Sequence, residues 1–164
     1  SSASSILRGG KGDDFINGGL QRDLLMGAVG KDHLWGGGGS DFFMLRTDVT
    51  ADGDSNLVSN QVEADRILDF NAAEDYVILP GVSSHNDVRF DIEGNNTLIK
   101  VRTGQGEMIA GVLEGVAGVQ GLFDPGITDE RVIVGDLADR INTQTNSIDA
   151  FLANPTMLVT EFGF

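Results

Sequence analysis

Four aspartates stand nine residues apart in this 164-residue chain: Asp14, Asp23, Asp32 and Asp41. Each is followed by a triplet whose central residue is large and apolar: Ile16, Leu25, Leu34 and Phe43. The contiguous units GGKGDDFIN, GGLQRDLLM, GAVGKDHLW and GGGGSDFFM run from Gly9 to Met44 and share the pattern G-[GA]-x-[GQ]-x-D-x-U-x, with U apolar. Glycine at the first, second and fourth positions permits positive φ and a tight turn that other residues resist. Such a turn can aim several backbone carbonyls inward, and the aspartate closes it with an anionic oxygen. Carbonyls plus carboxylates suit a hard cation that accepts six to eight oxygens, which is calcium; magnesium demands a smaller octahedral shell and keeps its waters.

These turns need a scaffold. The x-U-x triplet is long enough for a short strand with one side chain facing inward. Stacked copies place the U residues in a ladder, so that no repeat buries its apolar face alone. Leu7 lies nine residues before Ile16, which starts the ladder at Ile6-Leu7-Arg8. A flexible glycine-rich linker has no reason to hold its aspartates and apolar residues in phase.

Composition narrows the function. The net charge of −14 opposes nucleic-acid binding, which needs clustered Lys and Arg. It also makes the metal-free chain repel itself, a repulsion that bound cations relieve. No stretch approaches the roughly 20 apolar residues of a membrane helix. Cysteine is absent, so neither a disulfide nor a thiolate metal site is available. The chain begins Ser-Ser-Ala with no charged or apolar leader, which suggests a fragment or the C-terminal part of a longer protein.

Downstream of the repeats, residues 45–64 read as a polar loop. Residues 65–82 hold two short strands, Ile67-Leu68 and Tyr76 to Leu79, around an acidic turn. Val88 to Ile92, Thr97 to Val101 and Glu107 to Leu113 alternate or run apolar between Gly-rich turns, the pattern of an antiparallel meander. Val132-Ile133-Val134 reads as a further strand. Asn146 to Leu152 reads as a short helix, with Ser147 near its N-cap and Pro155 beyond its end.

The first 113 residues or so resemble a secreted RTX (repeats-in-toxin), hemolysin-type calcium-binding protein. Beyond the nonapeptides, Ile67-Leu68-Asp69-Phe70 and Asp75-Tyr76-Val77-Ile78-Leu79 match the I-x-D-F-x-x-x-x-D-x-I-x-L segment common after such repeats. Asn96 to Ile99 and Ile109 to Val116 resemble the strand pair that caps a bacterial β-roll. The resemblance implies an all-β fold: a right-handed parallel β-roll with two nonapeptides per coil, an antiparallel capping region, and a short, partly helical C-terminal tail. It divides the chain into residues 1–64 (roll and following loop), 65–119 (β cap) and 120–164 (tail, a candidate type I secretion signal). Repeats one and three are then partners, as are two and four. One calcium site uses Asp14 and Asp32 with carbonyls around Gly9, Lys11, Asp13, Gly27 and Ala28. The other uses Asp23 and Asp41 with carbonyls around Gly18, Leu20, Arg22, Gly36 and Gly37. A third half-site around Gly27, Val29 and Lys31 awaits completion by something outside the repeats. Gln21 and Ala28 depart from the pattern, and Gln21, replacing a turn glycine, is expected to strain its turn.

Other constellations are weaker. Asp52, Asp54, Asn56, Val58, Asn60 and Glu63 fall at EF-hand ligand spacing, but Leu57 stands where the sharp turn wants Gly, and a polar loop is the simpler reading. Asp65, Asp69 and Asp75 could add a calcium site at the capping turn, but structural turn carboxylates are the simpler reading. His33 and His85 lack the further ligands or partners that zinc or a catalytic triad requires. Ser83-Ser84-His85 carries no nucleophile elbow. The one G-x-G-x-x-G-like string lies within the repeats. Asp124-Pro125 resembles a self-processing bond in isolation only, and Glu161-Phe162-Gly163-Phe164 resembles the acid-plus-apolar ends of exported RTX proteins.

The expectation is a non-catalytic calcium-binding module, secreted and extracellular. Its expected partners are calcium ions, a type I exporter and an upstream domain. The alternative is a calcium-ordered surface for adhesion, polysaccharide or self-association, favoured if Trp35, Phe15 or Phe42 share an exposed face.

Overall fold

The computed structural model describes residues 4–47, 56–116 and 131–145. Five strands follow one another through the repeats: β1 (Ile6–Lys11), β2 (Phe15–Gly19), β3 (Leu24–Val29), β4 (His33–Gly37) and β5 (Phe42–Met44). Then come β6 (Arg66–Ile67), β7 (Tyr76–Ile78), β8 (Val88–Glu93), β9 (Asn96–Thr103), β10 (Gly106–Leu113), β11 (Val132–Ile133) and helix α1 (Gly135–Thr145).

Successive strands alternate between two sheets. One has the order β1-β3-β5-β7-β11 and is parallel throughout; the other has the order β2-β4-β6-β10-β9-β8. In the second, β2, β4, β6 and β10 are parallel, and β10-β9-β8 forms the expected antiparallel meander. The register follows the repeat: Ile6 pairs with Leu24, Leu24 with Phe42, and Phe15 with His33. The chain is therefore a parallel β-roll of two nonapeptides per coil, extended by an antiparallel meander and a short helix.

The roll does not end with the nonapeptides. β6 stacks on β4 and β7 stacks on β5, so residues 65–78 form a third coil. The U residues Ile16, Leu25, Leu34 and Phe43 line the space between the sheets and are joined there by Ile67, Val77, Ile99 and Leu113. Leu7 packs against the same core, as the register from Ile16 requires.

The outer faces differ. Leu24, Met26, Phe42 and Met44 lie on the outside of the first sheet, where Ile133 and the α1 residues Ala138 and Ile141 cover them. Phe42 is buried and stacks on Tyr76 with centroids 4.8 Å apart, so it does not join an exposed aromatic face. On the second sheet, Ala64, Leu98, Ile109 and Val112 form a small buried cluster on part of the outer face, while Phe15 and Trp35 remain exposed on β2 and β4. Val132 and Ile133 form the expected strand, but the helix lies at 135–145. The helix expected at 146–152, Asp124-Pro125 and the terminal Glu161 to Phe164 lie outside the described residues.

Candidate metal centre

Each turn joins one sheet to the other, and turns of equal sense stack. Turns 9–14 and 27–32 lie on one side of the roll, followed by the connection ending at Asp65. Turns 18–23 and 36–41 lie on the other, followed by 68–75. Glycine is needed here for closeness as well as for φ. A Cβ on Gly30 would collide with the Gly12 carbonyl, and one on Gly37 with the Gly19 carbonyl, each in the turn of the coil before. At the fourth repeat position, Gly12, Gly30 and Gly39 have φ of 108, 135 and 97°, whereas Gln21 keeps negative φ and its turn closes without left-handed strain. The strain falls instead on Ala28, at φ 76°.

The aspartates form two ladders. Asp32 Oδ1 accepts the Asp14 amide at 2.8 Å; Asp41 Oδ1 accepts the Asp23 amide at 2.9 Å. The Asp23 carboxylate reaches the Ser5 amide at 2.7 Å in the same way. Asp65 and Asp75 continue both ladders, accepting from the Asp32 and Asp41 amides at 2.9 and 3.0 Å. Asp65 and Asp75 are more than turn carboxylates: they occupy the sixth repeat position of the third coil. The separation grows from 18 residues to 33 and 34, which hides them from a nine-residue period. The signal that remains is the triplet itself, in Asp65-Arg66-Ile67 and Asp75-Tyr76-Val77.

The second carboxylate oxygens carry the chemistry. Oδ2 of Asp14, Asp23, Asp32 and Asp41 is buried in every case and has no hydrogen-bond partner. An unsatisfied buried polar atom costs about 1–3 kcal/mol, and more when it is charged. Each of these oxygens lies over the first glycine of its own turn. A Cβ on Gly9 would stand 2.5 Å from Asp14 Oδ2 and 2.9 Å from the Gly27 carbonyl oxygen. On Gly18 it would stand 2.8 Å from Asp23 Oδ2 and 2.6 Å from the Gly36 carbonyl oxygen. On Gly27 and Gly36 it would overlap the carboxylates of Asp32 and Asp41. Oδ1 thus points back to the preceding coil, and Oδ2 lies forward, in the layer between its turn and the next.

Burial raises the affinity of these carboxylates for protons. Desolvation lifts Asp23 and Asp32 above the ordinary aspartate range, with the backbone bonds from Ser5 and Asp14 opposing it. It pushes Asp41 and Asp65 up to about 7 and Asp75 up to about 6, aided by neighbouring carboxylates. Buried carboxylates favour the neutral form unless positive charge lies beside them. The donor set fits a hard cation held by oxygen. Among the described residues no three His, Asp or Glu side chains converge as a site of side chains alone, so backbone carbonyls must supply the rest.

The structure brings Asp14 with Asp32, and Asp23 with Asp41, into stacked turns together with Gly9, Gly27, Ala28, Gly18, Gly36 and Gly37. Lys11 ends β1, Leu20 and Arg22 lie on the second turn, and Asp13 Oδ1 accepts the Lys31 amide at 2.9 Å. The Val29 carbonyl accepts the Gly12 amide at 2.9 Å. Asn56, read earlier within a polar loop, is buried against the third turn: its amide nitrogen donates to the Ala28 carbonyl and, at 3.4 Å, to Asp65 Oδ2. The EF-hand spacing does not converge. Asp52 and Asp54 lie outside the described residues, Val58 pairs with Ile109, and Asn60 caps its own short helical turn. His33 sits on the outer face of β4, whereas His85 Nε2 lies 2.6 Å from the Val132 carbonyl oxygen.

The family model of the RTX calcium-binding nonapeptide repeat, in four copies, matches residues 2–31 and 21–45. Among solved structures, the chain is similar to the AlgE6R3 subunit of the Azotobacter vinelandii mannuronan C5-epimerase, with a TM-score of 0.41 and 21% identity over 81% of this chain and 80% of that one. It is also similar to the AlgE6R2 subunit of the same enzyme, with a TM-score of 0.41 and 24% identity over 70% of this chain and 86% of that one. No curated protein matches the sequence. The glycine turns and aspartate ladder of residues 2–45 are an RTX calcium-binding nonapeptide array.

Proposed function

We propose that this chain is a non-catalytic module whose folding is coupled to calcium, and that it serves a secreted protein. The observation that carries the reading is the set of four buried Oδ2 atoms without partners. Asp14 through Oδ2 and Asp32 from its Oδ1 side would hold one ion with carbonyls of the first and third turns; Asp23 and Asp41 would hold another in the same way with those of the second and fourth. Calcium supplies positive charge where the folded chain has only oxygen. Where calcium is scarce, the carboxylates repel one another and the net charge of −14 opposes compaction. This state suits export through a type I system. Outside the cell, sites of roughly 10⁻⁴ M affinity fill at millimolar calcium. At tenfold excess over Kd, each site stabilises the fold by about 1.4 kcal/mol. A few sites together match a substantial part of a domain's typical stability of roughly 5–15 kcal/mol. The rolled module then supports a domain upstream.

The test is calorimetric calcium titration with far-UV circular dichroism, starting from chelated protein. The expected result is a calcium-driven gain of β signal that Asp32→Ala and Asp41→Ala diminish. A chain fully folded in chelator that takes up no calcium would overturn the proposal.

A second reading rests on Phe15 at 64% exposure and Trp35 at 42%, beside His33 on the uncovered part of the second sheet. Flat aromatic surface of this kind suits the apolar face of a sugar ring, as in a polysaccharide-binding or adhesion module. Glycan binding that requires calcium and is lost in Trp35→Ala would favour it.

A further inference from the structure

We propose that the cation array extends past the nonapeptides, with two further calcium sites in the layers between the second and third coils. One lies between the turn 27–32 and Asp65, the other between the turn 36–41 and Asp75. The proposal rests on the calcium reading above and deepens it.

The argument is one of layers. Gly9 and Gly18 show which way the free oxygens point, because the space where a Cβ would stand is shared between Oδ2 of their own aspartate and a carbonyl of the next coil. Asp14 Oδ2 therefore belongs to the layer between turns 9–14 and 27–32, and Asp23 Oδ2 to that between 18–23 and 36–41. Asp32 and Asp41 repeat the near half of this arrangement, the carboxylate over the first glycine of its own turn. Their free oxygens lie over Gly27 and Gly36, and both residues are fully buried without a partner for Oδ2. The next coil on each side is the third, built from residues outside the repeats. Four free oxygens thus occupy four layers, and only two of those layers lie between nonapeptides.

The third coil is equipped for this role. Asp65 and Asp75 are buried and bring Oδ1 to the Asp32 and Asp41 amides, as Asp32 and Asp41 do to the coil before them. Asn56 lies on the third turn, its Oδ1 taking the Gly30 amide at 3.4 Å. Asp69 spans the fourth turn, accepting the Gly36 and Gly37 amides at 2.9 and 2.7 Å. The third coil also closes the series. Asp75 Oδ2 accepts the Asn71 amide at 2.8 Å, and Asp65 Oδ2 accepts from Asn56. The forward oxygens of this coil are satisfied by neutral donors, so no further cation layer follows.

The experiment is calcium counting on the whole chain by native mass spectrometry and calorimetry, with Asp65→Asn and Asp75→Asn alongside. Asparagine keeps the Oδ1 acceptor of each ladder bond and removes the charge. The expected result is twice as many ions as there are layers between nonapeptides, and the loss of one ion in each variant with the β signal retained. A wild-type count equal to the inter-repeat layers alone overturns the inference and leaves the calcium reading standing; this count requires no variant to fold. Variants with an unchanged count also overturn it. No calcium uptake at all overturns both.

Discussion

Ala28 is the one non-glycine residue with positive φ among the described residues. It holds the second position of the third repeat, where the other three units have Gly10, Gly19 and Gly37 at φ of 115, 124 and 91°. A left-handed L-residue costs roughly 1–2 kcal/mol. Replacing alanine by glycine removes that cost but returns about 0.4–1 kcal/mol of chain entropy to the unfolded state. Ala28→Gly should therefore stabilise the calcium-loaded protein by about 0.5–1 kcal/mol. In a protein of this length, 1 kcal/mol moves Tm by about 2–4 °C, so a rise of a few degrees is expected. Gly10→Ala is the mirror experiment. No atom lies within 4 Å of the Cβ it would add, so the backbone cost less the same entropy term is left, and Tm should fall by a few degrees. Thermal unfolding at saturating calcium, followed by circular dichroism, measures both. If Ala28→Gly lowers Tm while Gly10→Ala leaves it unchanged, the strain argument is wrong.

Two further outcomes follow from burial. Asp41, Asp65 and Asp75 take protons more readily when folded than unfolded, so in chelator the stability they contribute is complete below about pH 4 and lost as pH rises toward 7. Lowering pH from 8 to 5 without calcium should raise the folded fraction, by circular dichroism, whereas saturating calcium should flatten that dependence, since the bound ion favours the ionised form. Ile141 is fully buried in the cluster that α1 shares with Phe42 and Met44. Ile141→Ala should cost about 2–4 kcal/mol by denaturant unfolding and expose apolar surface to a dye, whereas an unchanged midpoint would mean that α1 does not hold the sheet.

The nonapeptide made the two-sheet alternation, the inward U ladder and the stacked aspartate pairs legible, because one residue type recurs at one spacing. The same period holds a second contrast, at twice its length. At the seventh and ninth positions, repeats two and four have Leu24, Met26, Phe42 and Met44, while one and three have Phe15, Asn17, His33 and Trp35. Since alternate repeats enter different sheets, this 18-residue contrast separates a covered face from an open one. The cover is not legible in the sequence because α1 presents only Leu137, Ala138 and Ile141 as apolar contacts, too narrow a stripe to stand out among Asp, Arg, Asn and Gln. The third coil is hidden because its turns are long insertions, and Asn56 because its role depends on a turn that precedes it by 26 residues or more.

The neutral donors at the third coil bear on how such a stack keeps its length. Each of the first two coils displays an unmet anionic oxygen that invites a cation and another coil, so a stack ending there would be a template for a neighbouring molecule. Asn71 and Asn56 withdraw that invitation at Asp75 and Asp65. They act with β10 and β11, which pair with the edges of β6 and β7, so the stack ends in satisfied carboxylates and occupied strand edges.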